Sequence, residues 1–374
     1  MVRLFVLLSI GLIPSCRFLR MAAIQMPGQH DFRWQEYVVV KNDSLNPFHF
    51  YDQSLQRQNQ FLSQVVRFNQ KPGDTAALEA VLQKNKVAAF VMIRKDTILC
   101  ERYFKDYKPE RYFTSFSVAK SFTSTLTGIA IDEGAISSIE DPVVKYIPEL
   151  EGKKWAEELK IIHLLEHTSG IRFREIPYNP VGRMTALYHR RHQEGSLPHL
   201  RFDRKPGNQY EYQDVNTYLL GLLTERAVGK PLQDYLSEKV WKPLGMEVDA
   251  QWSTDRKGGR VRTFCCLQTK VIDLARFGRL FLHQGNWNGQ QVLSKEWVTR
   301  ATWCDGETDP NKLRPRPFQW QTGGYPDCDF NARGLYDQFI YVHPRTQTII
   351  VMISDKHYFT RVAWREMFRG MVGL

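Results

Sequence analysis

The chain has 374 residues, 43% hydrophobic and 13% aromatic, a globular composition with enough apolar material for a sizeable core. Its formal net charge is +11, but basic residues are interleaved with acidic ones and never form a long run, which argues against nucleic acid as a partner. No internal stretch is long and apolar enough to span a membrane.

The first residues, MVRLFVLLSIGLIPSC, read as a targeting segment. Arg3 forms a short basic region, Leu4 to Ile13 an apolar one, and small residues follow. Ile13-Pro14-Ser15-Cys16 resembles a bacterial lipoprotein cleavage box with Cys16 as the lipidated residue. This predicts residues 1–20 as a signal or lipoprotein segment, membrane anchoring through Cys16, and a place in the bacterial envelope or periplasm. Translation from Met21 is the alternative and predicts a cytoplasmic protein. Residues 21–84 are expected to form an N-terminal extension, polar, aromatic and irregular from about 24 to 75.

Val87 to Ile93 and Thr97 to Tyr103 read as two strands joined at Lys95-Asp96. A helix is predicted from Ser117 to about Asp132, where Phe122, Leu126 and Ile129 recur at helical spacing and Gly134 can cap the end. From about 136 to 270 the pattern is mostly helix and loop. LKIIHLLEHTSG reads as a helix ending at Gly170, and the run from Asp214 to Met246 as two helices broken at Gly229-Lys230-Pro231. Asp273 to His283 is a further helix, followed by a GNWNGQQ turn. PFQWQTGG, LYDQFIYVHP and QTIIVMISD read as strands, the last two joined at Pro344-Arg345, and a helix follows from about Arg361. Strands at both ends predict an α+β domain over 85–374. One antiparallel sheet would be built from 85–135 and 271–374, flanked by helices, with a mostly helical insertion at about 136–270.

Six cysteines, Cys16, Cys100, Cys265, Cys266, Cys304 and Cys328, include no C-x-x-C pair. In an exported protein Cys304 and Cys328 are candidates for a bridge.

Chemistry concentrates in TSFSVAKSFTS, Thr114 to Ser124. Ser117 and Lys120 are three residues apart and share a helix face. A serine hydroxyl needs a base to act as a nucleophile, and a lysine can serve only if burial or a nearby cation lowers its proton affinity. Phe116, Val118, Ala119 and Phe122 are apolar, so this lysine is expected to be buried and to need a purpose there. The helix N-terminus also offers backbone N–H groups to a developing oxyanion.

The segment FTSFSVAKSFTSTLTGIAIDEGAISSIEDPVVKYIPEL resembles the serine-bearing segment of the serine β-lactamase and penicillin-binding-protein superfamily. It is most similar to the branch holding class C β-lactamases, certain esterases and 6-aminohexanoate-dimer hydrolase. LLEHTSGI, PGNQYEYQDVNTYLLGLLTERAVGKPL, DLARFGRLFLHQGNWNGQQVLSKEWV and ARGLYDQFIYVHP resemble further segments of that family, in the same order across residues 85 to 355.

The resemblance implies a β-lactamase-like fold and two-step acyl transfer on a small ester, amide or peptide, with no metal or organic cofactor. It assigns Ser117 as nucleophile and Lys120 and Tyr212 as proton-moving groups, with Tyr210 and Tyr218 as rivals for the tyrosine. The oxyanion is expected between the backbone N–H groups of Ser117 and Leu335. Asp214, Asn216, Gly334 and Gln338 are expected on the substrate side.

Two departures bear on substrate. Asp214 stands where many relatives carry an amide, and an ionised carboxylate cannot donate a hydrogen bond. The wall-strand triad is Ala332-Arg333-Gly334, with no cation at its first position, and alternation turns Arg333 to the opposite face. Ester or amide hydrolysis of the 6-aminohexanoate or esterase type therefore fits better than β-lactam or D,D-peptide hydrolysis. A non-catalytic binding protein of the same fold is the third reading. HLLEH, His163 to His167, matches a zinc motif, but no third ligand is evident. Trp303, Trp320, Tyr325 and Phe330 are candidates for an aromatic groove or for the core.

Overall fold

The structure is a computed structural model that describes Gln29 and residues 35–43, 45–69, 73–174, 182–304, 317–324, 326–355 and 362–373. The segment 1–20, Cys16, Met21, Tyr325 and Arg361 lie outside the described residues.

A seven-stranded sheet forms the centre. Its order is Gln321–Thr322, Phe330–Gly334, Gln338–His343, Thr348–Ser354, Val87–Arg94, Thr97–Tyr103 and Tyr51–Asp52. The two ends of the chain meet where Thr348–Ser354 pairs antiparallel with Val87–Arg94. All neighbours are antiparallel except Tyr51–Asp52 on Thr97–Ile98. This is the α+β sheet flanked by helices that the sequence predicts, extended at one edge by Tyr51–Asp52, a parallel strand from the segment expected to be an N-terminal extension.

Alternation assigns the two faces. Ala89, Val91 and Ile93 face the larger core, while Phe90 and Met92 face a smaller one with Phe368 and Met371 of helix Trp364–Val372. On the larger side, helix Val271–Leu282 lies against the sheet. A Cβ on its Gly278 would stand 2.9 Å from the Ile340 side chain, so glycine sets the helix-to-sheet distance. Phe277 of that helix stacks on Phe122 with centroids 3.7 Å apart. Phe122 belongs to helix Ala119–Asp132, whose residues 119–130 are all buried. The serine-bearing segment is thus the central helix of the molecule.

Several elements differ from the sequence reading. Phe116–Val118 is a 3-10 turn, and the α-helix starts at Ala119. The helix expected to reach Gly170 ends at Leu165, and His167 (φ 54°) turns the chain. LYDQFIYVHP is not one strand. Leu335–Asp337 is a tight turn with Tyr336 and Asp337 at φ 62° and 60°, and it joins Phe330–Gly334 to Gln338–His343. The polar N-terminal stretch contains helix Ser54–Leu62 and a strand, Tyr37–Val40. That strand joins Ala250–Ser253, Leu267–Thr269 and Phe113–Thr114 in a second, four-stranded sheet.

Arg276, 1% exposed, knits these layers together. Its guanidinium meets Asp273 at 2.7 Å and donates to the Phe48 carbonyl at 2.8 Å. Asp273 also accepts the Glu247 N–H at 2.7 Å and the Thr269 hydroxyl at 3.0 Å. Removing one partner of such a buried pair strands the other charge. Arg276→Ala should lower unfolding stability by about 3–5 kcal/mol, measured by urea denaturation. A loss within experimental error would show that the pair is not essential to the packing.

Candidate active site

The site forms where the central helix meets two other segments. Phe116 has φ 47°, and its ring stands edge-on to Tyr336 at 5.5 Å. The turn it makes presents Ser117 to a cleft of about 590 Å³. Ser117, Tyr210, Tyr212, Asp214, Gly334 and Leu335 all line this cleft. Gly334 allows the wall strand to come close, since a Cβ there would lie 2.5 Å from the Ser115 carbonyl oxygen.

Lys120 is 2% exposed. Its Nζ donates to Ser117 Oγ at 3.0 Å and to the Phe264 carbonyl at 2.8 Å, and pairs with Asp214 Oδ1 at 2.6 Å. Asp214 opens helix Asp214–Val228, where a carboxylate also complements the helix dipole. The expected burial of Lys120 is accompanied by a counter-ion that the sequence reading placed on the substrate instead. A carboxylate at this distance favours the ammonium over the free amine.

Tyr212 keeps 37% of its surface open and lines the same cleft as Ser117. Lys120 Nζ lies 5.0 Å from the centre of its ring. Burial pushes the phenol above its ordinary range, the Lys120 cation opposes this, and Asp214 reinforces it. Tyr210 lines the outer cleft, and Tyr218 is buried in the core.

Beneath Tyr212 lies His167, 4% exposed, with ring centroids 4.8 Å apart. Its Nδ1 accepts the Gln213 N–H at 3.3 Å and lies 3.2 Å from Asn216 Nδ2. Burial first, and the Lys120 charge second, push its imidazole down to about 3. His163 Nδ1 separately accepts the Lys160 N–H at 3.1 Å, so the two histidines of HLLEH serve different local contacts. No group of three His, Cys, Asp or Glu side chains suited to a metal occurs among the described residues.

Two expected substrate contacts are placed elsewhere. Asn216 is fully buried beside His167. Gln338 is fully buried and donates to the carbonyls of Leu335, Tyr336 and Ser354, while its Oε1 accepts the Ser354 N–H. Both amides satisfy neighbouring polar groups rather than face the cleft. Ala332 is 1% exposed, and Arg333 lies over the Phe339 ring and pairs with Asp337 at 2.6 Å. Trp320 and Phe330 pack in the core, whereas Trp303 is 38% exposed. The aromatic lining comes instead from Phe116, Tyr188, Tyr210, Tyr212 and Tyr336. Tyr188 and Cys265, also on the cleft, had no pattern that marked them as site residues.

A sheet backed by a buried helix, with a serine and lysine in contact at the helix start, defines the class as serine-hydrolase-like. A family model for Beta-lactamase matches residues 76–368, so the chain belongs to the beta-lactamase family, whose members are serine hydrolases. It is 27% identical over 314 residues to a 6-aminohexanoate-dimer hydrolase of Paenarthrobacter ureafaciens, covering 78% of each chain. A Beta-lactamase of Pseudomonas fluorescens is 29% identical over 134 residues, covering 35% of this chain and 34% of that one. Among solved structures, "Putative 6-aminohexanoate-dimer hydrolase from Bacillus anthracis" superposes with a TM-score of 0.78 at 22% identity, covering 95% of this chain and 92% of that chain.

The neutral His167 gives a pH test. Its folded value of about 3 lies below the ordinary 6.5, so unfolding takes up a proton between those values. The associated stability is intact above pH 6.5 and is lost as pH falls toward 3. The stability advantage of wild type over His167→Gln should shrink across that interval, with a slope of up to about 1.4 kcal/mol per pH unit. Parallel pH–stability curves for the two proteins would remove this role.

Proposed function

We propose that the protein hydrolyses a small ester or amide through a covalent acyl-enzyme on Ser117, in the manner of 6-aminohexanoate hydrolases and related esterases. The observation that carries this reading is the 3.0 Å contact between buried Lys120 and Ser117 Oγ, open to a cleft. The similarity to the Paenarthrobacter hydrolase along 78% of both chains supports the 6-aminohexanoate branch. Burial of Ala332 and the pairing of Arg333 with Asp337 support it over β-lactam or D,D-peptide hydrolysis.

In the proposed reaction, Ser117 Oγ attacks the substrate carbonyl and forms a C–O bond. Its proton passes to the Tyr212 oxygen in the minority of molecules whose phenol is ionised, since burial raises that phenol. Lys120, held as an ammonium by Asp214, stabilises the phenolate character that this transfer requires. The backbone N–H groups of Ser117 and Leu335 receive the oxyanion. Collapse of the tetrahedral intermediate returns the proton to the leaving alcohol or amine. Water then repeats the sequence at the acyl carbonyl and frees Ser117.

Incubation with a panel of acyl esters, short linear amides and β-lactams, followed by intact-mass analysis, tests the reading. An acyl mass on Ser117 from an ester or amide is the expected result. A stable adduct and turnover with β-lactams alone would move the protein to the β-lactamase reading. No adduct and no turnover would leave a non-catalytic binding protein. Lys120→Ala and Tyr212→Phe should each lower acylation by about two orders of magnitude or more.

Asp214→Asn separates the proton routes. Loss of a charge-assisted bond worth about 1.5–3 kcal/mol should lower acylation by about tenfold or more at neutral pH. A faster variant at that pH would instead assign the Ser117 proton to a neutral Lys120.

A further inference from the structure

Cys265 and Cys266 are bonded to each other, closing a ring around the single peptide that joins them. Cys265 lines the cleft, and Cys266 is fully buried with φ 70°. The enclosed peptide is held at both of its polar groups. The Cys265 carbonyl accepts the Trp252 indole N–H at 3.0 Å, and the Cys266 N–H donates to the Phe116 carbonyl at 3.3 Å. Phe116 immediately precedes Ser117 and carries the left-handed turn that presents it. On the other side of the bridge, the carbonyl of Phe264 accepts from Lys120 Nζ at 2.8 Å. The preceding Thr263 carbonyl accepts the Thr123 hydroxyl at 2.7 Å, tying the same loop to the central helix one turn further on.

The ring therefore sits between the support of the nucleophile and the support of the lysine. A peptide enclosed in so small a ring has few accessible orientations, whereas two free thiols leave its rotation to the backbone alone. We infer that the Cys265–Cys266 disulfide is a positioning element of the active site, and that its reduction to two thiols disables acylation of Ser117. The inference rests on the serine-hydrolase reading above. In the reduction, a dithiol supplies two electrons and two protons. The Sγ–Sγ bond breaks, two cysteine thiols form, and the dithiol becomes a disulfide.

Neither cysteine needs to touch the reacting atoms for this effect. A displaced Cys266 N–H releases the Phe116 carbonyl and with it the orientation of Ser117. A displaced Phe264 carbonyl leaves buried Lys120 short of an acceptor. Both changes act on the chemical step, so kcat should fall more than KM rises.

The test compares Ser117 labelling by a fluorophosphonate before and after incubation with dithiothreitol, with trypsin digestion and thiol alkylation reporting the redox state of the Cys265–Cys266 peptide. Cys304 and Cys328 form the other disulfide among the described residues, so the experiment is repeated in a Cys304→Ser/Cys328→Ser variant. The expected result is a disulfide in the untreated protein and labelling at least tenfold slower once it is reduced. Recovery should follow reoxidation, and the same loss should appear in the Cys304→Ser/Cys328→Ser background. A Cys265→Ala/Cys266→Ala variant should match the reduced rate, respond no further to dithiothreitol, and show the loss in kcat with KM little changed.

Equal labelling of the oxidised and reduced protein overturns this inference and leaves the serine nucleophile standing. So does full activity of an untreated protein whose Cys265 and Cys266 are both alkylated as thiols. Absence of labelling in every redox state overturns the serine-nucleophile reading, and this inference with it.

Discussion

Everything in the site depends on accommodating one lysine side chain out of water. A lysine 2% exposed loses its hydration, and the cost is several kcal/mol unless protein atoms replace that shell. Lys120 finds its acceptors on three separate pieces of chain: Ser117 on its own turn, Phe264 on a distant loop, and Asp214 at the start of another helix. None of these alone offsets the desolvation. In the folded chain, segments far apart in sequence meet at this one lysine. The same contacts that make burial possible also fix the distance from Nζ to Ser117 Oγ.

The surroundings keep that cation without an equal neighbour. His167 lies under Tyr212 with its ring tilted, near enough to be affected by the Lys120 charge, yet burial holds it neutral. A protonated imidazole there would place a second cation beside the Lys120 side chain. Its Nδ1 is instead occupied by the Gln213 N–H, in the residue directly after Tyr212. The histidine thus acts on the backbone that carries the tyrosine. The HTSG turn, with His167 and Gly170 in the left-handed region, brings it there.

Ser117 and Lys120 were singled out by their three-residue spacing together with the family resemblance of the surrounding segments, and the central strands by apolar runs and alternation. Three other features were not. The turn at Leu335–Asp337 lies inside a run that reads as continuous strand, and its left-handed residues are Tyr336 and Asp337 rather than glycine or asparagine. The strand Tyr37–Val40 is short and half exposed, and it exists by pairing with Ala250–Ser253 far along the chain. The amides Asn216 and Gln338 looked like substrate contacts because an amide's chemistry is the same whether it faces a ligand or a backbone carbonyl. Only packing decides between them.

Charge pairing then bears on what the cleft can accept. The charged residues among its described lining are Asp214, Arg333 and Asp337. Asp214 is committed to Lys120, and Arg333 and Asp337 are committed to each other. Within the lining, Arg333 is neutralised by Asp337 at 2.6 Å, and Asp337 is also held by the Trp364 indole at 3.0 Å. The remaining lining is largely aromatic, with rings that can cover apolar chain and hydroxyls that can hydrogen-bond an amide or ester. Such a surface offers area and a few polar contacts to the acyl chain of the proposed ester or amide substrate. Specificity in a cleft of this kind comes from the shape of its aromatic walls, and those walls include the Cys265 side of the bridged loop.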